Sequence, residues 1–302
     1  MKITLRQLRY LEALATERHF GRAAERCAVS QPALSAQIRD LEAALTVTLV
    51  ERTSSGARLT RVGEEIVARA RSILTEVGDL EAFARARGAA LAGPLRLGVI
   101  PSIAPFLLPT LLPRAAARFP DLQLEIRETV TATLVEELAA GDLDLVVASV
   151  PLGHPALTEL ALFDDAFVLA APRRGPFALA GIASAADIPA DALLLLEDGH
   201  CLRDQTLAVC GAIDARRLRS SGVTSLTTIL QLVAAGQGLT LLPDLFLATV
   251  PFDADNIRLT RFGDQEPRRT VGLAWRRTNP LAEEFRRFGD LVRACAPGVE
   301  GD

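Results

Sequence analysis

Apolar residues recur at helical spacing over the first third of the chain and in short runs thereafter. Leu8, Leu11 and Leu14 share one face of a helix that opens at Thr4, with Gln7 three residues on completing a capping box. A second short helix is expected near Gly21–Ala28. Ser30 then stands where an N-cap belongs, and Pro32 is tolerated because first-turn N–H groups have no helical partner. Leu34, Ile38, Leu41 and Leu45 form a stripe to be buried, which leaves Gln31, Ser35 and Arg39 on the opposite face. Residues 47–60, VTLVERTSSGARLT, predict two short strands around a Ser-Ser-Gly turn, a wing. Thr60 is placed to cap a long helix over 61–88, on which Ile66, Ala70, Ile73, Val77, Leu80 and Ala84 alternate steps of four and three. That rhythm is a coiled-coil seam and predicts pairing with a second helix.

Beyond Gly93-Pro94 the pattern becomes apolar strands alternating with helices. LRLGVI (95–100) precedes a helix from Ser102, LQLEIRE (122–128) precedes one from Thr131, and LDLVVAS (143–149) follows. FVLAAP (167–172), LLLLE (193–197), LTLLP (239–243) and RTVGLAWR (269–276) read as further strands. Helices are expected from about Leu202, over Leu226–Ala235 and from Pro280. Such alternation predicts α/β units with parallel strands, whose ligands sit at strand carboxyl ends beside helix N-termini. Ser102 and Thr131 hold those positions.

Composition narrows the classes. A chain of 302 residues, 49% hydrophobic, has material for two or three compact units. No apolar run reaches the ~18 residues of a membrane span, and MKITLRQLRYLEAL is patterned as an amphipathic helix rather than a secretory signal. A cytoplasmic protein without membrane partners is expected. The four cysteines, Cys27, Cys201, Cys210 and Cys295, are too few for a disulfide scaffold and match no zinc spacing. Free thiols, no metal and no cofactor are therefore anticipated. The net charge of −4 looks wrong for a nucleic-acid binder until it is divided: residues 1–90 carry +3 and the remainder −7. A basic head on an acidic body is compatible with a local phosphate-binding surface.

The stretch FGRAAERCAVSQPALSAQIRDLEAALTVTLVERT (20–53) closely resembles the winged helix-turn-helix of LysR-type transcription regulators, and the likeness continues along essentially the whole chain. The resemblance implies an α/β fold with an N-terminal winged helix-turn-helix and a two-lobed, periplasmic-binding-protein-like effector domain. The corresponding division is 1–60 for DNA binding, 61–92 for a dimerising linker helix and 93–302 for the effector. Its lobes are expected at about 93–164 with 267–302, and about 165–266. Within the family, EDGHCLRDQ (197–205) followed by Cys210 is similar to the redox segment of the peroxide-sensing branch, as are VIPSIAPFLLP (99–109), VAAGQGLTLLP (233–243) and EPRRTVGL (266–273).

Double-stranded promoter DNA is the partner this implies. Ser30, Gln31, Pro32 and Ser35 would lie at the recognition-helix end that meets base edges, with Arg22 and Arg39 on phosphates and Arg52 of the wing on a phosphate or the minor groove. The resemblance further implies self-association to a tetramer and contact with RNA polymerase.

It also makes hydrogen peroxide the signal, Cys201 the attacking thiol and Cys210 the resolving thiol of an intramolecular disulfide. Ser102, Thr131, His200 and Arg269 would form the peroxide pocket, and Arg203 is a possible stabiliser of the thiolate. Position 102 departs from the branch, which carries Thr there. If residues 201–210 are helical, the two Cα atoms are ~13 Å apart, beyond the ~7 Å a disulfide allows. Two other readings share parts of this pattern. One is a LysR-type regulator that binds a small organic effector between its lobes. The other is a thiol peroxidase, against which the N-terminal head stands.

Overall fold

The computed structural model describes residues 3–53, 56–86, 91–178, 184–211, 222–263 and 266–297. The chain forms two compact units, Met1–Arg87 and Gly88–Asp302.

In the first unit α1 (Leu5–Glu17) starts with the expected capping box: Thr4 Oγ1 accepts from the Gln7 amide and Gln7 Oε1 from the Thr4 amide. Next comes α2 (Phe20–Arg26), capped by His19, whose Nδ1 accepts from the amides of Gly21 and Arg22. Ser30 caps α3 (Gln31–Leu45) by accepting from the Ala33 amide. Leu11, Leu14, Leu34, Ile38 and Leu41 interlock as the core of the three helices. The wing is the antiparallel pair β1 (Val50–Thr53) and β2 (Gly56–Leu59); its turn residues Ser54 and Ser55 lie outside the described residues. Gly56 adopts φ +143, and a Cβ there would meet the Arg18 carbonyl at 2.4 Å, so only glycine lets the wing close onto the end of α1. Thr60 Oγ1 accepts from the Gly63 amide at the start of α4 (Arg61–Ala86). Val67 and Ala70 enter the unit's core, whereas Ile73, Leu80 and Phe83 further along α4 are exposed. Residues 87–90, at the end of the expected linker, lie outside the described residues.

The second unit begins with β3 (Gly93–Val99), α5 (Ala104–Arg118), β4 (Leu122–Glu128), α6 (Thr131–Ala140), β5 (Leu145–Val150) and β6 (Leu157–Pro172). There follow α7 (Cys201–Val209), α8 (Leu226–Ala234), β7 (Thr240–Pro243), α9 (Asp244–Leu247), β8 (Ile257–Thr260), β9 (Arg268–Arg276) and α10 (Ala282–Arg293). The strand order is β4-β3-β5-β9-β6-β7, with β8 also on β6. Strand β6 belongs to both lobes, pairing with β9 over Leu157–Ala166 and with β7 and β8 over Phe167–Pro172. Trp275, Phe285, Phe288, Phe167 and Phe246 are the largest fully buried side chains of the second unit's continuous core.

Three expectations are corrected. The sheet is mixed: β3 runs parallel to β4 and β5, but β9 inserts between β5 and β6 antiparallel to both. Apolar runs report burial on both faces, not strand direction. Residues 193–197 form no strand; an isolated bridge, Leu193 to Leu239, and a bond from the Thr240 hydroxyl to the Leu194 carbonyl tie them to the start of β7. The strand expected at 167–172 instead begins at Leu157, because the polar residues Glu159, Asp164 and Asp165 interrupt an apolar run without interrupting a ladder.

Candidate functional site

Helix α7 fixes the thiol. Gly199, at φ +93, turns the chain after Glu197, His200 serves as N-cap without using its side chain, and Cys201 is the first helical residue. Its sulfur is thus carried at the end of α7 whose first backbone N–H groups have no helical partner. The loop after β3 and the start of α6 close over this end. Ile100, Pro101, Ser102, Val130, Thr131, His200 and Cys201 thus line one crevice, too closed to hold a whole water molecule. The expected pocket residues Ser102, Thr131, His200 and Cys201 come together from three distant segments. Cys201 is half-buried, while Ser102 and His200 are buried. The Thr131 hydroxyl oxygen is buried and has no hydrogen-bond partner among the described residues. A buried, unused hydroxyl is costly unless something else meets it.

Arg269 reaches the crevice through Ser102. Its Nη1 donates to Ser102 Oγ at 2.7 Å, its Nη2 to the Ser102 carbonyl at 3.0 Å, and its Nε to Asp165 Oδ2 at 2.9 Å. Ser102 Oγ serves Arg269 as an acceptor, a role that leaves the hydroxyl its capacity to donate.

Cys210 is the C-cap of α7 and is buried. Nine residues of helix put its Cα ~13 Å from that of Cys201. Burial pushes its thiol up to about 11. The Arg203 guanidinium is engaged elsewhere: it pairs with Asp198 at 2.6 Å and donates to the Leu196 carbonyl, bracing the segment that leads into α7. Gln205 was not singled out in the sequence. It lies one turn beyond Cys201 on the same helical face, and its buried Oε1 has no partner among the described residues. The i, i+4 spacing from the cysteine was the available signal. Cys27 and Cys295 have thiols raised chiefly by burial, and neither belongs to this cluster. Among the described residues no group of three His, Cys, Asp or Glu side chains is arranged for a metal.

In the first unit Ser30, Gln31, Pro32 and Arg39 are exposed along the start and outer face of α3. Ser35, expected on that face, is buried instead, and its hydroxyl accepts from Arg39 Nη1 at 3.0 Å. It lies four residues before Arg39 and one after Leu34, at the margin of the apolar stripe, so helix packing covers it. Arg22 is exposed but held by Glu17, donating to its carbonyl at 2.7 Å and pairing with its carboxylate at 3.5 Å. Arg52 belongs to β1, and its side chain lies outside the described residues. No helix among the described residues is long and apolar enough to cross a membrane.

Comparison with known proteins places this geometry in context. Residues 5–64 match the bacterial regulatory helix-turn-helix protein model of the lysR family, and residues 88–296 match the LysR substrate binding domain. The chain is 40% identical over 298 residues to the DNA-binding transcriptional dual regulator OxyR of Escherichia coli K12, covering 98% of this chain and 97% of that one. It is 42% identical over 301 residues to a probable hydrogen peroxide-inducible genes activator of Streptomyces viridosporus, covering 96% and 93%. A full-length OxyR of Pseudomonas aeruginosa with a cysteine-to-aspartate change superposes with a TM-score of 0.80 at 36% identity, covering 98% and 96%. A hydrogen peroxide-bound cysteine variant of Corynebacterium glutamicum OxyR gives 0.62 at 33% identity, covering 97% and 94%.

Proposed function

The chain belongs to the LysR family of DNA-binding transcription regulators, among the OxyR proteins, and from that premise we propose that it senses hydrogen peroxide through Cys201 and reports it to promoter DNA. The observation that carries this reading is the crevice. A thiol at a helix N-terminus shares the crevice with a buried imidazole and two hydroxyls, one without a partner among the described residues and one accepting from Arg269.

The chemistry follows from those groups. The Cys201 thiolate attacks one peroxide oxygen; an S–O bond forms and the O–O bond breaks. The departing oxygen regains the proton that the thiol gave up, so thiol plus peroxide become sulfenic acid plus water. Hydrogen bonds from Ser102 and Thr131 stabilise the charge that builds on that oxygen. The buried Cys210 thiol, still protonated at neutral pH, is not the first to react. It attacks the sulfenic sulfur, releasing water and forming a disulfide, once α7 has unwound enough to bring the two sulfurs together. The refolding of that segment is the signal. Arg203 holds the segment before α7 in the reduced form rather than acting on the thiolate.

On the DNA side, Gln31 and Pro32 at the exposed start of α3 meet base edges. Ser30 stays with its capping bond, Ser35 acts by holding Arg39, and Arg39, Arg22 and Arg52 supply phosphate contacts. The exposed Ile73, Leu80 and Phe83 of α4 form the seam for a second copy.

Mass spectrometry after one equivalent of hydrogen peroxide tests the sensing half. The expected product is a Cys201–Cys210 linkage with one peroxide consumed per chain, and Cys210→Ser should instead accumulate the sulfenic acid at Cys201. Absence of both products would sink the reading. So would a Cys201→Ser protein that still answers peroxide at its promoter.

A further inference from the structure

We propose that Asp165 is a positioning residue for the peroxide step: it aims the Arg269 guanidinium and, through it, the Ser102 hydroxyl at the oxygen that leaves. This deepens the peroxide reading and rests on it.

Asp165 and Arg269 stand directly opposite each other on the antiparallel pair β6 and β9. Their side chains are 0% and 1% exposed, which sets this ion pair apart from the solvent-facing pairs elsewhere in the unit. Asp165 Oδ2 lies 2.9 Å from both Nε and Nη2 of Arg269, while Oδ1 accepts from the Leu245 amide at 2.9 Å. Both carboxylate oxygens are therefore used, one on each lobe: the Arg269 end belongs to β9, and Leu245 lies in α9, just after β7. A carboxylate pinned in this way cannot turn, and the guanidinium plane it grips cannot turn either.

What the grip directs is Ser102. Arg269 spends two of its remaining N–H groups on the Ser102 hydroxyl and carbonyl. Serine lacks a branch at Cβ and holds χ1 less firmly than threonine would. In this chain the bond from Arg269 supplies the missing restraint, occupying an Oγ lone pair and leaving the hydroxyl proton for the crevice. The charge of Arg269 is matched by Asp165, so the pair presents direction rather than net charge to the reacting atoms. Asparagine at 165 would break this arrangement. It has one acceptor oxygen and one donor nitrogen, so it can serve Arg269 or the Leu245 amide but not both.

The test compares two reagents on the full-length reduced protein. Oxidation of Cys201 by hydrogen peroxide needs directed donors on a leaving oxygen; alkylation by iodoacetamide does not. In Asp165→Asn the peroxide rate constant should fall about tenfold or more, with the iodoacetamide rate held within about threefold. Asp165→Glu, which keeps the charge and both acceptors, should recover part of the peroxide rate. A merely structural role would move both reagents together or neither. If Asp165→Asn does not fold, Asp165→Glu decides alone: its added methylene should lower the peroxide rate while leaving alkylation unchanged. Variants that react with peroxide like the parent, or that lose both reactions in parallel, overturn this inference and leave peroxide sensing intact. A parent protein no faster with peroxide than a free thiol would remove both.

Discussion

At Cys201 and Cys210 one side-chain type meets two environments within a single helix. The first heads α7, half-buried beside His200, Ser102 and Thr131; the second closes it, buried in the lobe's core. Burial disfavours the charged form, and the Cys210 thiol rises from 9.0 to about 11. This has a stability consequence with a definite sign. Below pH 9 both folded and unfolded chains keep that proton, so nothing is lost. Between 9.0 and about 11 the unfolded chain gives it up and the folded one does not, so folding weakens as pH rises. Thermal melting from pH 8 to 11 should therefore fall more steeply for the parent than for Cys210→Ala; equal slopes would mean that the thiol is not held in its neutral form. The candidate residues themselves were legible in the sequence, through motif and resemblance. Their commitments were not. That the Arg203 guanidinium binds Asp198 and the Leu196 carbonyl could not be read from its place two residues after the thiol. Nor could the burial of Ser35 and its bond to Arg39.

Helix α7 has nine residues, shorter than the ~12–15 an isolated helix needs to persist in water. It stands because Leu202, Arg203 and Thr206 are buried against the rest of its lobe. A helix that owes its existence to one packed face can be traded for a covalent bond between its ends. Hydrogen exchange should accordingly show peroxide removing protection across Cys201–Val209, with Cys210→Ser keeping it after the same treatment. Protection unchanged in the oxidised parent would mean that the bond forms without unwinding. Helix boundaries were read well from caps: Thr4, Ser30 and Thr60 each accept the amide their positions predicted. These are local signals, spanning three or four residues. Strand direction and the status of 193–197 depend on partners far along the chain, and no local pattern encodes them.

The whole chain is acidic, yet its first 90 residues carry +3, so DNA affinity should be governed by that unit and should weaken steeply with salt. Arg39→Ala should lower affinity for every duplex to a similar extent and reduce the slope of log K against log salt by about one. A change confined to one base position would instead make Arg39 a base reader. Caps and the apolar stripes of the first three helices were determined by the sequence alone, because each is a short-range periodicity that burial or helix geometry enforces; of the seam expected on α4, Ile66 and Ala70 instead pack into the first unit's own core. The crevice was decided only by tertiary structure. Ser102, Thr131, Cys201 and Arg269 lie on four separate segments, and mixed pairing around β9 gathers them. Asp165 shows the difference most clearly. In sequence it is one acid in a strand, and it meets Arg269 only because β6 and β9 pair in that register, burying the two side chains against each other.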